Sequence, residues 1–581
     1  MRLRVSKSAH STSYTVIKSA YINKVRTTVT VEYLGNDDQI RQKYHVDDAE
    51  AWARAHVEEL NRLAKDEKAS ASITFSPSSQ LTMDEQRSFN LGYLFLQRIF
   101  YQLGLNKICA TIKQRHSFDY NLTSILSRLL YTRILYPGSK LSSFNDSQKF
   151  VEAPDFELHQ IYRALSLLAS EADFIQQALY KNSLAFSQRN TSVIYYDCTN
   201  YYFEIEDADQ PGGLRQYGPS KEHRPNPITQ MGLFMDSEGI PLAFSVNPGN
   251  MNEQLTLKPL EKKLISDFSL SKMVVCTDAG LSSMNNRLYN TLNGRAFITV
   301  QSIKTIKTFQ KQWALATDGW KLLNDDPGKT YNLTQLDPAN DYEKIFYKER
   351  WFNEDGLEQR FIVTYSLKYK DYLSSVRKRQ FDRAVRKMNA PGSVDHFRQN
   401  DPNRFIEQLH FTADGEVAEA KAYTLDENRF AEESQYDGFY AVATNLTDDA
   451  SSIVKVNQKR WEIEECFRIM KHEFIARPCY LSKDDRITAH FMTCFLALII
   501  FRYLEKQLGE DYTIENIIST LREMNAVKIE GKGYIPTYTR TTLTDQLHST
   551  SGFNTSTEII SIAKMRNICK QTKQSGSKKE G

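Results

Sequence analysis

Alternating apolar and polar residues open the chain. Residues 12–34 contain "TSYTVIKSAY" and "VRTTVTVEYL", which predict two strands that meet near a turn at Ile22–Lys24. After Asp47–Asp48 the apolar spacing changes to that of a helix. Residues 1–70 are therefore predicted to form a small N-terminal domain of strands and a helix. A Ser/Ala/Pro-rich linker is predicted at 68–80.

Residues 83–190 have the apolar spacing of helices, with turns at "YPGSK" (136–140) and "EAPDF" (152–156). Within this part, residues 105–140 hold six basic residues and one acidic residue. A basic helical segment with short turns is compatible with docking on DNA. A plain helical bundle explains the pattern equally well. We predict a helical, DNA-binding region at 83–190 and keep the plain bundle as the alternative.

The pattern changes at residue 191, where "TSVIYYDCTNYYFEI" is β-branched and aromatic and predicts a strand. "ITQMGLFMDSEGIPLAFSV" predicts a hairpin with its turn at Asp236–Gly239. A helix at 256–268, the apolar strand "MVVC" (273–276), another helix and the strand "AFITV" (296–300) follow. This order predicts an α/β sheet that begins as an antiparallel meander and ends with crossovers.

The α/β alternation stops at residues 302–451, which we predict to be a mostly β insertion containing one basic helix. Residues 452–510 return to helices and are predicted to complete the domain that begins at 191–301. Their segment "FMTCFLALIIF" (491–501) has 11 residues. A spanning helix needs roughly 20, so a buried core helix is predicted and no membrane is expected. Residues 511–581 are predicted to be a helical C-terminal region with a basic tail.

Composition is that of an ordinary globular protein, with 41% hydrophobic and 25% charged residues and a formal charge of +3. The basic residues gather in blocks: residues 1–31 contain six and no acidic residue, and residues 368–387 contain eight against two. Such blocks are either solvated faces or nucleic-acid contacts. The seven cysteines include no C-x2-C pair, which argues against structural zinc and disulfides. With no apolar signal peptide in Met1–Tyr14, we predict a cytoplasmic protein.

Two aspartates are predicted to lie where strands of the α/β sheet end. Asp197 follows "VIYY" and Asp278 follows "VVCT". Each alone is explained as a strand-ending or capping residue. The carboxyl ends of strands in an open α/β sheet form the crevice where ligands bind. Two close carboxylates repel unless a cation lies between them, and hard divalent ions such as Mg²⁺ prefer these oxygen ligands. Together the two aspartates indicate a metal site.

A third carboxylate is sought in "RWEIEECFRIMKHEF" (460–474), which has a helical pattern. Its apolar residues at helical spacing predict the buried face, formed by Ile463, Phe467, Met470 and Phe474. Beside that face runs a charged row of Arg460, Glu464, Arg468 and Lys471. Glu462 and Glu465 lie off this row and are predicted to be surface or structural. Glu464 is either half of a salt bridge worth about 0.2–0.5 kcal/mol or a functional carboxylate at the edge of the buried face.

The spacing of Arg460, Glu464 and Lys471 matches the R-x3-E-x6-K part of the Y-x2-R-x3-E-x6-K signature of DDE transposases from bacterial insertion sequences. The chain resembles this family over most of its length. "YYDCTNYYFEI" is similar to the segment that carries the family's first Asp, and "VVCTDAGLSS" to the segment that carries the second. The long interval between Asp278 and Glu464 resembles that of members with a β-rich insertion in the catalytic domain. Asn457 stands at the signature's Tyr position, which is a departure from the family.

The resemblance implies an RNase H-like catalytic domain in which Asp197, Asp278 and Glu464 are catalytic and bind two divalent ions, Mg²⁺ or Mn²⁺. In two-metal sites the ions stabilise the attacking and leaving oxygens of an in-line displacement. The resemblance further implies that Arg460 and Lys471 contact DNA phosphates beside the metals.

The loop "YGPSKEHRP" (217–225) follows the first strand of the predicted sheet. It carries Lys221 and Arg224, which we predict to contact the DNA backbone, with an ordinary surface loop as the alternative.

The function that the resemblance implies is transposition: metal-dependent DNA strand cleavage at transposon ends and strand transfer into target DNA. A metal-dependent nuclease or resolvase without strand transfer is one alternative, and a transposase-derived DNA-binding regulator is another. The expected partners are double-stranded DNA, as terminal repeats and target, and a second copy of the chain in the synaptic complex. Binding to DNA would make the cytoplasmic protein nucleoid-associated.

Overall fold

The structure is a computed structural model that describes residues 1–8, 11–22, 25–44, 46–67, 76–78, 80–323, 328–388, 401–410, 421–509 and 511–574. The strands are β1 (Arg2–Lys7), β2 (Thr12–Ile22), β3 (Val25–Asn36), β4 (Ser88–Asn90), β5 (Val193–Tyr202), β6 (Ile228–Asp236), β7 (Pro241–Pro248), β8 (Val274–Thr277), β9 (Ala296–Val300), β10 (Lys321–Leu322), β11 (Phe346–Glu354), β12 (Leu357–Tyr365), β13 (Ile406–His410), β14 (Lys421–Leu425), β15 (Phe439–Thr444), β16 (Asn525–Ile529), β17 (Gly533–Pro536) and β18 (Ile560–Ser561).

The α-helices are α1 (Asp37–Tyr44), α2 (Ala49–Glu67), α3 (Tyr93–Gln102), α4 (Leu105–Arg115), α5 (Leu122–Leu135), α6 (Lys140–Ser147), α7 (Leu158–Ser170), α8 (Ala172–Phe186), α9 (Leu257–Phe268), α10 (Met284–Tyr289), α11 (Thr308–Leu315), α12 (Pro338–Asp341), α13 (Leu367–Met388), α14 (Glu427–Ser434), α15 (Ala450–Gln458), α16 (Trp461–Arg468), α17 (Asp484–Leu508), α18 (Ile514–Glu523), α19 (Thr542–Ser551) and α20 (Ile562–Thr572).

The N-terminal unit, Met1–Glu85 with Glu530–Lys532, is built on the predicted alternation. β1, β2 and β3 form an antiparallel sheet in that order. Its core includes Val16 and Ile40, which are fully buried. β2, β3 and α2 confirm the predicted strands and helix, whereas β1 and α1 were not predicted. The predicted turn at Ile22–Lys24 and the predicted linker at 68–80 lie largely outside the described residues.

The second unit, Gln86–Ile529 with Gly533–Gly581, contains a nine-stranded sheet in the order β10-β11-β12-β15-β9-β8-β5-β6-β7. β5, β6 and β7 form the predicted antiparallel meander, and β5, β8 and β9 are parallel neighbours. Each crossover passes through a helix, α9 before β8 and α10 before β9. The predicted α/β sheet with a meander and crossovers is therefore confirmed. Burial of β6 along its whole length explains its nearly continuous apolar sequence.

One expectation about this sheet is wrong. Asp197 does not lie where its strand ends, because β5 continues to Tyr202 through antiparallel pairing with β6. β8 is shorter and ends at Thr277, directly before Asp278. The parallel register pairs Tyr195 with Cys276, so two residues further along Asp197 lies level with Asp278. The two aspartates are thus neighbours at the end of β8, although only one of them ends a strand.

α17 is the central core helix of this unit. Its apolar residues lie on all sides of the helix, which fits complete burial. It packs against α3, α5, α7 and β7. Among the described residues it is the helix with the length and hydropathy of a membrane span, and 89% of its most apolar window is buried inside the protein. The predicted core helix at 491–501 lies within it.

The helices α3 to α8 fill the predicted helical region and share one hydrophobic core with α17 and the large sheet. Their basic residues do not all lie on the surface. Arg128, Arg133 and Lys140, half of the six in residues 105–140, are almost fully buried. Arg133 donates to the backbone oxygens of Phe474 and Gly138, at 3.0 and 3.1 Å. These three side chains support the fold and are not part of a DNA-binding surface.

Two further expectations need correction. The insertion at 302–451 is mixed rather than mostly β, since its described residues include α11 to α14 as well as β10 to β15. Its strands β10, β11, β12 and β15 also extend the large sheet, because β15 pairs with β9. The C-terminal region is not purely helical: β16, β17 and β18 join β4 in a four-stranded sheet. These strands have two to five residues, too few to show a period of two in the sequence.

Candidate active site

The site is built around Asp197 and Asp278 at the end of β8. The backbone N–H of Cys198 donates to Asp197 Oδ1 at 2.7 Å. Asp278 Oδ1 caps the following 3-10 turn by accepting from the N–H of Leu281 at 3.1 Å. Burial raises the pKa of Asp197 to about 7; Lys221 opposes this effect and the Asp278 carboxylate adds to it. The pair is therefore electrostatically strained and suited to an added cation.

Two lysines flank Asp197. Lys221 donates from Nζ to the backbone oxygen of Cys198 and lies 3.3 Å from Glu253 Oε1. Burial disfavours its charge, but attraction to Asp197 and Glu253 outweighs burial and raises the pKa of Lys221. Lys471 donates to Thr199 Oγ1 at 2.6 Å. Burial and the charge of Lys221 lower the pKa of Lys471 to about 8. The site therefore holds two amines beside one carboxylate.

Lys471 lies on a π-helical turn, Ile469–Glu473, that continues α16. The sequence predicts a continuous α-helix here. A π turn is wider than an α turn and commonly occurs at functional sites. The wider turn changes the angular position of Lys471 relative to Glu464 and directs its amine to β5.

Arg224, the other predicted contact in the loop, lies beside the lysines rather than at the aspartates. Its guanidinium stacks over the ring of Tyr202, 4.1 Å from the centroid, and its Nε lies 3.8 Å from Glu222. Glu222 also pairs with Arg477. Glu222, Glu253 and Arg477 were not identified from the sequence, since no local spacing links them to the aspartates. The Arg224 side chain is half exposed.

Glu464 lies on α16, whose buried face is the predicted one: Ile463, Phe467, Met470 and Phe474 are all buried. Its side chain is 57% exposed, and its Oε1 lies 3.1 Å from Arg460 Nη2. Arg460 is partly buried, with 18% of its side chain exposed. Burial disfavours its charge, but Tyr440, Glu464, Asp278 and Asp197 together outweigh burial and raise its pKa. Arg460 therefore pairs with Glu464 and also lies within the electrostatic influence of both aspartates. Among the described residues, no three His, Cys, Asp or Glu side chains are gathered closely enough to hold a metal ion.

The other two glutamates of α16 face Arg502. Glu462 and Glu465 lie 3.7 and 3.3 Å from its guanidinium, and Glu505 lies 2.6 Å from it. Gly239 has a φ of +74°, which favours glycine, and a Cβ there would displace the Glu462 carboxylate, whose Oε2 would lie 2.4 Å away. Glu462 and Glu465 are structural, as predicted.

Asn457, at the signature's Tyr position, is buried and donates from Nδ2 to the hydroxyl of Tyr440 at 2.9 Å. Tyr440 lies on β15, next to Arg460 and Glu464. A tyrosine hydroxyl is therefore present here, but strand β15 supplies it rather than helix α15. The sequence does not reveal Tyr440, because pairing of β15 with β9 and β12 is non-local. A cavity of about 370 Å³ is lined by Tyr440, Asn457, Arg460 and Glu464 among others.

Replacing Tyr440 with phenylalanine should lower the free energy of unfolding by about 1–3 kcal/mol. The substitution removes the partner of Asn457 Nδ2, while Asn457 Oδ1 already has no hydrogen-bond partner in the described part of the protein. Denaturant unfolding measures the loss. Tyr369→Phe is the matched control. Tyr369 lines the same cavity, and its hydroxyl makes no hydrogen bond to the described residues. Equal losses in the two variants would contradict the role of the Tyr440–Asn457 bond.

Comparison with protein-family models gives one match. Residues 210–500 match the family model described as "Transposase DDE domain". The match includes Asp278, Glu464, Arg460 and Lys471 and begins after Asp197.

No curated protein matches the sequence. A solved structure, the piggyBac transposase synaptic complex with hairpin DNA, is similar to this chain with a TM-score of 0.35 and 9% identity, over 86% of this chain and 89% of the other. That similarity is too low to support any inference about this protein. The family match spans half of the chain, and the protein therefore belongs to the transposase DDE domain family.

Proposed function

We propose that the protein is a transposase that cleaves DNA strands at transposon ends and transfers them into target DNA. The observation that carries the proposal is that Asp197 on β5 lies level with Asp278, which directly follows the parallel neighbour β8. Beside them Arg460 pairs with Glu464, and the charges of both aspartates help to raise the pKa of Arg460. The strand order β7-β6-β5-β8-β9 supports an RNase H-like catalytic domain. We assign the protein to the bacterial insertion-sequence group on the spacing of Arg460, Glu464 and Lys471.

The residues fit divalent metal ions in part. Asp197 and Asp278 offer carboxylate oxygens, and their burial and mutual repulsion would be relieved by a cation. Glu464 would complete the ligand set after it separates from Arg460. When bound, two Mg²⁺ or Mn²⁺ ions would activate the attacking oxygen and stabilise the leaving oxygen of the displaced strand.

The cations of the chain would position the DNA. Arg460, freed from Glu464, would place a planar guanidinium against the phosphate next to the aspartates. Lys471 and Lys221 would add point charges on the β5 side, and Arg224 would contact the backbone beyond them. Exchange of Arg460 from Glu464 to phosphate would release the carboxylate as DNA arrives.

Double-stranded DNA is the partner that this arrangement serves, both as transposon end and as target. Joining two ends at once calls for a homodimer in the synaptic complex. Helices α3 to α8 would contribute DNA contacts through their exposed basic residues, such as Lys107 and Lys113. We place the protein in the cytoplasm, associated with the nucleoid.

An assay on linear DNA that carries the ends flanking the gene tests the proposal. The protein with Mg²⁺ should nick the ends and join their 3′ strands to a target plasmid, and chelation of the metal should stop both steps. Glu464→Gln should abolish nicking, whereas Glu462→Gln, the same change two residues away, should retain it. Nicking without joining would indicate a nuclease or resolvase. Binding without nicking would indicate a DNA-binding regulator.

A further inference from the structure

The basic helix α13 begins beside the candidate active site. It starts two residues after β12, and the ring of Tyr369 in its first turn packs edge-on against Tyr440, with centroids 6.4 Å apart. Tyr440 in turn bonds Asn457 next to Arg460. α13 then runs for 22 residues, which correspond to about 33 Å at the α-helical rise. Its length is close to one turn of a DNA duplex.

One face of α13 fixes the helix to the protein. Arg377 is buried and pairs with Asp437. The ring of Phe381 packs against Phe405 and Phe430, with centroids 5.7 and 4.9 Å apart. This anchoring holds the helix in a defined orientation, so its opposite face is presented rigidly.

The opposite face carries an arginine row: Arg379, Arg383 and Arg386. Their spacing of four and three residues puts them on one side of the helix, separated by about 6 and 4.5 Å along its axis. All three are exposed, and none forms an ion pair with a carboxylate in the residues that the structure describes. Arg379 and Arg386 make only local bonds, from Nε to the backbone oxygens of Ser375 and Asp382.

The charge balance of the row is positive. Asp382, between the arginines in sequence, is exposed and has no ion pair within the described part of the chain. Lys378 adds a further exposed cation at the edge of the row. The three guanidiniums have no ion-pair partner among the described residues. Each of them can bind a phosphate through two parallel hydrogen bonds.

We propose that the arginine row of α13 binds the phosphate backbone of the DNA duplex whose scissile phosphate lies at Asp197 and Asp278. The inference rests on the proposed function and adds a second DNA-binding surface, within the insertion, to it. Arg379 and Arg386 lie about 15 and 26 Å along the helix from Tyr369, which corresponds to about 4 to 8 base pairs of duplex. Contacts of the row with the phosphate backbone would contribute affinity without reading sequence.

Salt dependence of DNA binding tests this inference. Fluorescence anisotropy with a labelled duplex of arbitrary sequence and about 30 base pairs, three helical turns, gives the dissociation constant at several salt concentrations. Each phosphate contact contributes about 0.9 to the slope of log K against log salt, so the triple variant Arg379→Gln, Arg383→Gln, Arg386→Gln should lose about 2.7. The corresponding triple arginine-to-lysine variant keeps the charges and should keep the slope.

A matched control removes three charges elsewhere. Lys181, Lys262 and Lys272 are exposed, and Lys272 precedes β8, at the end of that strand opposite Asp278. Their triple change to glutamine should leave the slope unchanged. A wild-type slope in the arginine-to-glutamine variant, an equal loss in the lysine control, or loss of slope in the arginine-to-lysine variant would overturn the inference. If DNA binding shows the predicted slopes but the wild-type protein never nicks transposon ends, the proposed function is wrong. Binding of duplex DNA by the arginine row is then still supported.

Discussion

Replacing Asp197 with asparagine should stabilise the protein and at the same time abolish metal-dependent strand cleavage. The native carboxylate is disfavoured by burial and by Asp278, which raise its pKa to about 7 in spite of Lys221. Since the ordinary pKa of Asp is about 3.9 and each pKa unit corresponds to about 1.4 kcal/mol, the charged form costs the fold on the order of 4 kcal/mol at pH 8. The amide removes this cost. Cleavage should fall by about 10³-fold or more, because a metal ligand worth several kcal/mol in the transition state is lost.

The stability gained by Asp197→Asn should depend on pH in a defined direction. The folded protein binds the Asp197 proton more tightly than the unfolded chain, so the cost is absent below about pH 4 and accumulates as the pH rises to 7. The stability advantage of Asp197→Asn should therefore be larger at pH 8 than at pH 5. Asp209→Asn is the matched control with the opposite sign, because hydrogen bonds from Arg215 outweigh burial and lower the pKa of Asp209. If Asp197→Asn melted below the wild-type protein at pH 8, the strain assigned to the aspartate pair would be wrong.

Replacing Arg502 with methionine should cost about 3–5 kcal/mol of unfolding free energy. Arg502 is 9% exposed and faces Glu462, Glu465 and Glu505. Its loss leaves Glu462 and Glu505 without an ion-pair partner among the described residues, whereas Glu465 keeps its pair with Arg468. It also donates from Nε to the backbone oxygen of Gly239, and that bond would be lost too. The midpoint of denaturant unfolding, followed by circular dichroism, measures the effect.

A second substitution identifies the cause of that loss. Adding Glu462→Gln to Arg502→Met should recover part of the stability, because Glu462 has no other ion-pair partner among the described residues and one unpaired charge is removed. Glu464→Gln should not rescue the Arg502 variant, since Glu464 pairs with Arg460 instead. An unchanged midpoint in Arg502→Met, or rescue by Glu464→Gln, would show that the glutamates of α16 are not divided as described.

Local patterns predicted those parts of the site that depend on neighbours in sequence. The β6–β7 hairpin and the strands β8 and β9 follow from apolar runs between turns, and the buried face of α16 follows from helical spacing. The same spacing put Glu464 beside that face and left Glu462 and Glu465 with structural roles. Helical geometry could not choose between a salt bridge and a functional carboxylate for Glu464, and in the structure it forms that bridge.

The features that could not be predicted from the sequence depend on strand pairing between residues far apart in the chain. The length of β5 beyond Asp197 is set by β6, and the position of Tyr440 is set by β9 and β12. The burial of Arg128, Arg133 and Lys140 could not be predicted either, since basic residues are expected at the surface. Their charges are accommodated only because tertiary neighbours surround them.

In the proposed function, Asp197, Asp278 and Glu464 together hold the metal ions for strand transfer. The most direct measurement is anomalous scattering from crystals of the protein bound to a transposon-end duplex in Mn²⁺. We predict two manganese peaks about 3.5–4 Å apart, in contact with Asp197 and Asp278, with Glu464 moved from Arg460 to the metal. Manganese bound elsewhere, or Glu464 still paired with Arg460 while the aspartates bind no ion, would contradict the account.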